Sequence, residues 1–146
     1  GITYDALCMV CRDVQIAPAV TEQLAAGERP LSPGMKYRHY APKAPLYLLD
    51  GTREKRRKFL AEQKGKLAYL CYTEELDSLS ASSLSLYPIG SEEDPSAQAR
   101  VLFRILRDAD KEGYDVIYAP LPKTIGVGMA LYNRMIRAAA HQIVTV

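Results

Sequence analysis

The sequence is poor in the residues that carry most enzymatic chemistry. Of its 146 residues, two are histidine and three are cysteine. Neither His39 nor His141 sits in a nucleophile setting such as Gly-x-Ser-x-Gly, so a serine or cysteine hydrolase has no visible machinery. Cys8 and Cys11 form a Cys-x-x-Cys, but no strand precedes their helix and no second pair follows. That argues against a redox or zinc centre, and no metal site is expected. An odd number of thiols fits a cytosolic protein with free cysteines. No two carboxylates stand out as an acid–base couple, and Asp108, Asp110 and Glu112 read as an exposed helix end. The apolar runs are too short to span a bilayer, and the first residues lack the basic start and long apolar stretch of a signal peptide. A net charge of +2 implies no nucleic-acid partner. The missing initiator methionine suggests a fragment of a longer protein.

One absence is local. No Asp or Glu lies between Arg29 and Asp50, while Lys36, Arg38, His39 and Lys43 crowd the same stretch with Tyr37 and Tyr40. Such a segment has no hydrophobic face to bury. Its donors and rings suit an anionic, nucleotide-like ligand or an acidic cleft, against the plainer reading of a solvated basic loop. Five of the nine prolines fall from Pro18 to Pro45. Proline fixes φ and extends its predecessor, so residues 18–45 are predicted to be an irregular, semi-rigid connector.

Short helices are predicted at Thr3 to Cys11, with Thr3 as cap, and at Thr21 to Ala26. After Pro45 strands and helices alternate. Strands are expected at Leu46–Leu49, Leu67–Cys71, Ser83–Ile89, Val116–Ala119 and Ile143–Val146. Helices are expected at Arg53–Lys64, Pro95–Glu112 and Gly128–Ala140, with Ser78–Ser85 as a serine-rich loop. The longest helix has Ala99, Leu102, Phe103, Leu106 and Ala109 at helical spacing. Asp94 caps it with Pro95 at its first turn, and Gly113 stops it. The pattern defines a Rossmann-like α/β domain over residues 46–146, with a mainly parallel sheet of about five strands.

Gly126-Val-Gly128 follows a buried strand and opens a helix. Glycine there lets backbone amides approach an anion, with Lys123 and Thr124 as added donors. The dinucleotide fingerprint is incomplete, so a tight turn with close helix packing is the competing explanation. Arg53 to Lys58 holds five basic residues and one glutamate, read as a solvated helix face. Asn133 is a poor helix former in mid-helix, which suggests a hydrogen-bonding task. His141 is expected to cap its helix.

The run Gly34-Met-Lys-Tyr-Arg-His-Tyr-Ala-Pro42 resembles the interdomain linker of long-form threonylcarbamoyl-AMP synthases. Gly1-Ile-Thr with Asp13-Val resembles the end of that family's YrdC-like catalytic domain. Gly126-Val-Gly-Met-Ala, Asn133-Arg-Met and Ala138-Ala139 resemble its final helix. The resemblance implies a remnant of the catalytic domain at residues 1–17, the interdomain linker at 18–45 and an accessory or regulatory domain at 46–146. It also implies a parent enzyme that joins threonine, bicarbonate and ATP, with magnesium, into threonylcarbamoyl-AMP for tRNA modification in the cytoplasm. In that setting Lys36, Tyr37, Arg38, His39 and Tyr40 help close a pocket belonging to the absent catalytic domain, and this chain alone is not catalytic. The alternative is a nucleotide- or anion-sensing module with no part in the chemistry.

Overall fold

The computed structural model describes residues 4–10, 15 and 41–146. The helix expected at Thr21–Ala26, the Thr3 cap, Cys11 and the motif Lys36–Tyr40 lie outside the described residues. The elements are α1 (Tyr4–Val10), β1 (Leu46–Asp50), α2 (Arg53–Glu62), β2 (Leu67–Tyr72), α3 (Leu76–Leu79), β3 (Ser85–Gly90), α4 (Pro95–Glu112), β4 (Val116–Pro120), α5 (Val127–Ala138) and β5 (Ile143–Thr145). The five strands form one parallel sheet in the order β3-β2-β4-β1-β5. The α/β class and strand number read from the sequence hold.

Helices cover both faces. Against one face, Leu102, Ile105, Leu106 and Ala109 of α4 and Leu131, Met135 and Ile136 of α5 pack on Leu46, Leu48, Ala68, Leu70 and Ile117. Against the other, Leu60 of α2 and Leu79 of α3 pack on Leu49, Leu67, Tyr69, Cys71 and Tyr118. A strand buried on both faces needs an unbroken apolar run, which is why β2 reads Leu-Ala-Tyr-Leu-Cys-Tyr and is buried throughout. Each buried leucine contributes about 1.5–3 kcal/mol.

Local chemistry sets the ends of α4. The Asp94 carboxylate accepts the Ala97 N–H at 3.0 Å, Pro95 opens the helix, and Gly113 leaves it with φ +67°. The Lys66 ammonium donates to the Glu112 carbonyl there. Pro120 ends β4 opposite Leu49, and the N–H of Leu121 continues the ladder to the Leu49 carbonyl at 3.0 Å. A proline at a strand terminus removes no interior ladder bond.

Three expectations need correction. The first two residues of the loop expected at Ser78–Ser85 are helical, because α3 covers Leu76–Leu79 and follows a 3-10 turn at Thr73–Glu75. The α5 helix closes through the backbone rather than a His141 side-chain cap, since the His141 N–H donates to the Ile136 carbonyl at 2.8 Å. Both Ala140 (φ +51°) and His141 (φ +60°) adopt the left-handed conformation usually given to glycine. Finally, the basic run of α2 is not wholly solvated, because Arg56 is buried.

Candidate functional site

The carboxyl ends of β1, β2 and β3 meet in a network of charged side chains. At its centre the Arg56 guanidinium turns inward from α2. It donates to Glu75 at 2.7 Å, to the Gly51 carbonyl at 2.7 Å and to the Tyr69 hydroxyl at 3.1 Å. Glu75 also accepts the Tyr72 N–H at 3.0 Å and lies 3.3 Å from the Tyr69 hydroxyl. Arg56 and Glu75 are 5% and 4% exposed, so this ion pair is held away from water. Burial, then the neighbouring Glu75 charge, pushes the Tyr69 phenol far above its usual range. Burial likewise raises Tyr72 to about 12 and the Cys71 thiol to about 11. Each bonding group of the pair has a partner in its own chain, and the arrangement joins the end of β1 to the end of β2 across β4.

Around this centre lies an exposed rim. Arg53 pairs with Glu92, and that hydrogen bond raises the arginine further. Glu74 accepts from the Ser91 hydroxyl and from the Glu92 N–H, and these bonds hold its carboxyl below the usual range. Lys123 lies 3.7 Å from Glu93. Asp50, Glu74, Glu92, Glu93 and Asp94 outnumber Arg53 and Lys123, so the rim is acidic.

The expected anion-site residues occupy the turn into α5. Lys123 and Thr124 are exposed, and no side chain caps the helix. Gly126 has φ +59° and ψ −130°, a region closed to side-chain-bearing residues. A Cβ on Gly128 would lie 2.5 Å from the Lys123 carbonyl, so close packing accounts for that glycine. A Cβ on Gly126 would lie 3.4 Å from the Asp5 carboxylate of α1. Asn133 is half-buried, and its side-chain oxygen is enclosed with no hydrogen-bond partner among the described residues. The structure does not bring Asn133 into the strand-end network. A groove of about 230 Å³ beside α2 and α3 is lined by Arg57, Gln63, Ser78 and Ser82 among others. The hydroxyls of Ser78 and Ser82 donate to the Glu75 and Leu79 carbonyls.

Arg56 and Glu75 escaped the sequence reading. Arg56 looks like one charge in a basic run, and only its spacing of four from the buried Leu60 places it on the inner face. Glu75 carries no local signal, because its partner is 19 residues away.

A parallel α/β sheet with helices on both faces and a buried ion pair at its strand ends defines a Rossmann-like domain. The chain belongs to the family of threonylcarbamoyl-AMP synthase C-terminal domains, which residues 2–140 match. It is 31% identical over 146 residues to the threonylcarbamoyl-AMP synthase of Bacillus subtilis, covering 99% of this chain and 41% of that protein. The Pyrococcus abyssi threonylcarbamoyl-AMP synthase is 32% identical over 152 residues, covering 100% of this chain and 42% of that protein. The crystal structure of P. abyssi Sua5 complexed with L-threonine superposes with a TM-score of 0.77 at 29% identity, over 100% of this chain and 42% of that one. This chain therefore spans about two-fifths of the length of the relatives it matches.

Proposed function

We propose that this chain is the accessory carboxyl-terminal domain and connector of an enzyme that makes threonylcarbamoyl-AMP from threonine, bicarbonate and ATP, with magnesium. The product serves the threonylcarbamoyladenosine modification of tRNA in the cytoplasm. The observation that carries the reading is the match of residues 2–140 to the C-terminal domain of these synthases. Among the described residues no helix is long and apolar enough to cross a membrane. In this reading residues 1–17 end the catalytic domain, residues 18–45 connect, and residues 46–146 form the accessory body. The α1 helix presents Met9 (89% exposed) and Val10 (80% exposed), which supports a partner surface supplied by that catalytic domain.

Lys36, Tyr37, Arg38, His39 and Tyr40 close the catalytic pocket over the nucleotide and threonyl group. Water exclusion matters there, because a carboxylated amino acid and a mixed anhydride both hydrolyse. The test is pyrophosphate release from ATP, threonine and bicarbonate. The 146-residue chain gives none, and the two-domain protein does; robust product from this chain alone refutes the reading.

A second reading, an anion-sensing site at Lys123, Thr124, Gly126 and Gly128, is favoured by the uncapped start of α5. An anion there competes with Glu93 for Lys123 and sits near Asp5. The enclosed oxygen of Asn133 supports a separate polar role for that residue.

A further inference from the structure

We propose that Asp110 is a latch that fixes the trailing end of the connector, and is therefore a positioning residue for the pocket-closing motif. The inference rests on the reading of Lys36–Tyr40 given above. The Asp110 side chain accepts the backbone N–H of Lys43 at 2.9 Å, across 67 residues of sequence. Two further ties act on the next two residues. Ala44 packs against the core that α4 and α5 share with the sheet. The Pro45 carbonyl accepts the Ile117 N–H at 2.9 Å, joining the connector to the central strand before β1 begins. Pro42 and Pro45 fix φ on either side of Lys43, so one hydrogen bond orients a segment with little freedom left.

The placement of Asp110 runs against helix electrostatics. It lies in the last turns of α4, where the carbonyl end of the helix disfavours a negative charge. Its neighbours there have other partners: Asp108 pairs with Lys111 at 3.7 Å, and the Glu112 carbonyl takes the Lys66 ammonium. Asp110 is half-buried, and its hydrogen bond goes to the connector rather than to a cation. A carboxylate in an unfavourable position that captures a backbone N–H is explained by that capture. The tether is short. Three residues extend at most about 11 Å, so fixing Lys43 limits where Tyr40 can reach.

The latch is tested on two observables. The first is amide hydrogen exchange in this chain. Asp110→Ala should speed exchange of the Lys43 N–H by about 10-fold or more, as expected for loss of a charge-assisted bond. Asp110→Asn, whose amide oxygen still accepts, should change it by less than about 3-fold. The Ile117 N–H should stay as protected as in the wild type. The second is turnover of the two-domain protein, read as pyrophosphate release. Asp110→Ala should lower kcat/KM by roughly 3–30-fold with an unchanged melting temperature, and Asp110→Asn should restore most of the loss. The surface control Asp108→Ala should do neither. If Lys43 exchange is unmoved by Asp110→Ala, there is no latch. If exchange rises but turnover holds while Arg38→Ala still lowers it, the latch does not position the motif and the pocket-closing reading survives. If Arg38→Ala is also silent, the pocket-closing reading falls and the positioning role falls with it.

Discussion

Removing the Glu75 carboxylate strands a buried cation. In Glu75→Ala the Arg56 guanidinium keeps the Gly51 carbonyl and the Tyr69 hydroxyl but loses its counter-charge at 2.7 Å. The Tyr72 N–H loses its acceptor as well. Breaking a buried pair from one side costs about 3–5 kcal/mol, because the remaining charge is left desolvated without compensation. For a body of about 100 residues with a stability of about 5–15 kcal/mol, that lowers the melting temperature by roughly 12–20 °C. Urea unfolding followed by far-ultraviolet circular dichroism measures the loss directly. The double variant Arg56→Met/Glu75→Leu removes both charges and keeps most of the volume. It should recover at least about 2 kcal/mol over Glu75→Ala, since an apolar replacement of a whole buried pair is often nearly neutral. The remaining deficit should be about 1–3 kcal/mol for the orphaned Tyr72 N–H. A Glu75→Ala cost below about 1 kcal/mol refutes the reasoning. So would a double variant no better than the single.

Arg38→Ala in the two-domain protein should lower turnover by one or more powers of ten if each charge-assisted bond is worth about 1.5–3 kcal/mol, with the melting temperature of this chain nearly unchanged; a destabilised chain with normal turnover would make the connector structural. The Cys71 thiol, fully buried and raised to about 11, should resist thiol reagents in the folded state while exposed Cys8 reacts. A thiol raised on folding disfavours the native state once the unfolded chain can ionise. Its contribution should therefore be intact below about pH 8.5 and decline as pH rises toward 11, seen as a falling urea midpoint that Cys71→Ala blunts. Ala140→Gly should stabilise by roughly 0.5–1 kcal/mol, because relief of a left-handed alanine exceeds the extra freedom of an unfolded glycine; a loss on urea denaturation would contradict this. Calorimetric titration with inorganic phosphate should give weak, salt-sensitive heat that Lys123→Ala abolishes; no heat leaves the turn before α5 with packing as its whole explanation.

Much of the fold is legible because it rests on local rules. Asp94, Pro95 and Gly113 mark α4 to the residue, and the apolar runs of β2 and β4 announce strands covered on both sides. The order of those strands is not local. Nothing in Val116–Pro120 says that it lies between Leu46–Asp50 and Leu67–Tyr72, since that placement depends on which helices share a face. Reading the site regions from sequence succeeds at the turn before α5, whose glycines answer to a positive φ at Gly126 and close packing at Gly128. It fails where a charge pairs at long range. Arg56 resembles its solvated neighbours until Glu75 arrives beneath it, and Asp110 resembles a frayed helix end until Lys43 is seen against it. The turn at Ala140 and His141 is hidden for the opposite reason: the backbone adopts a glycine conformation without a glycine to signal it.

The position of β4 in the middle of the sheet bears on how the protein is made. The strand arrives late, at residues 116–120, yet it supplies the pairing surface for both β1 and β2. Until it leaves the ribosome, β1 has neither of its final neighbours, because β5 comes later still. The nascent chain thus holds β1 unsatisfied over roughly 70 residues of synthesis, and one edge of the β2–β3 pair over roughly the last 30, several seconds in all at about 5–20 residues per second. Long-range parallel pairing is also slow to close. The predicted vulnerability is therefore one of timing. Ribosome-stalled chains that end before Val116 should expose the strand edges of β1 and β2 and engage chaperones, whereas chains extended far enough to release Thr145 should not.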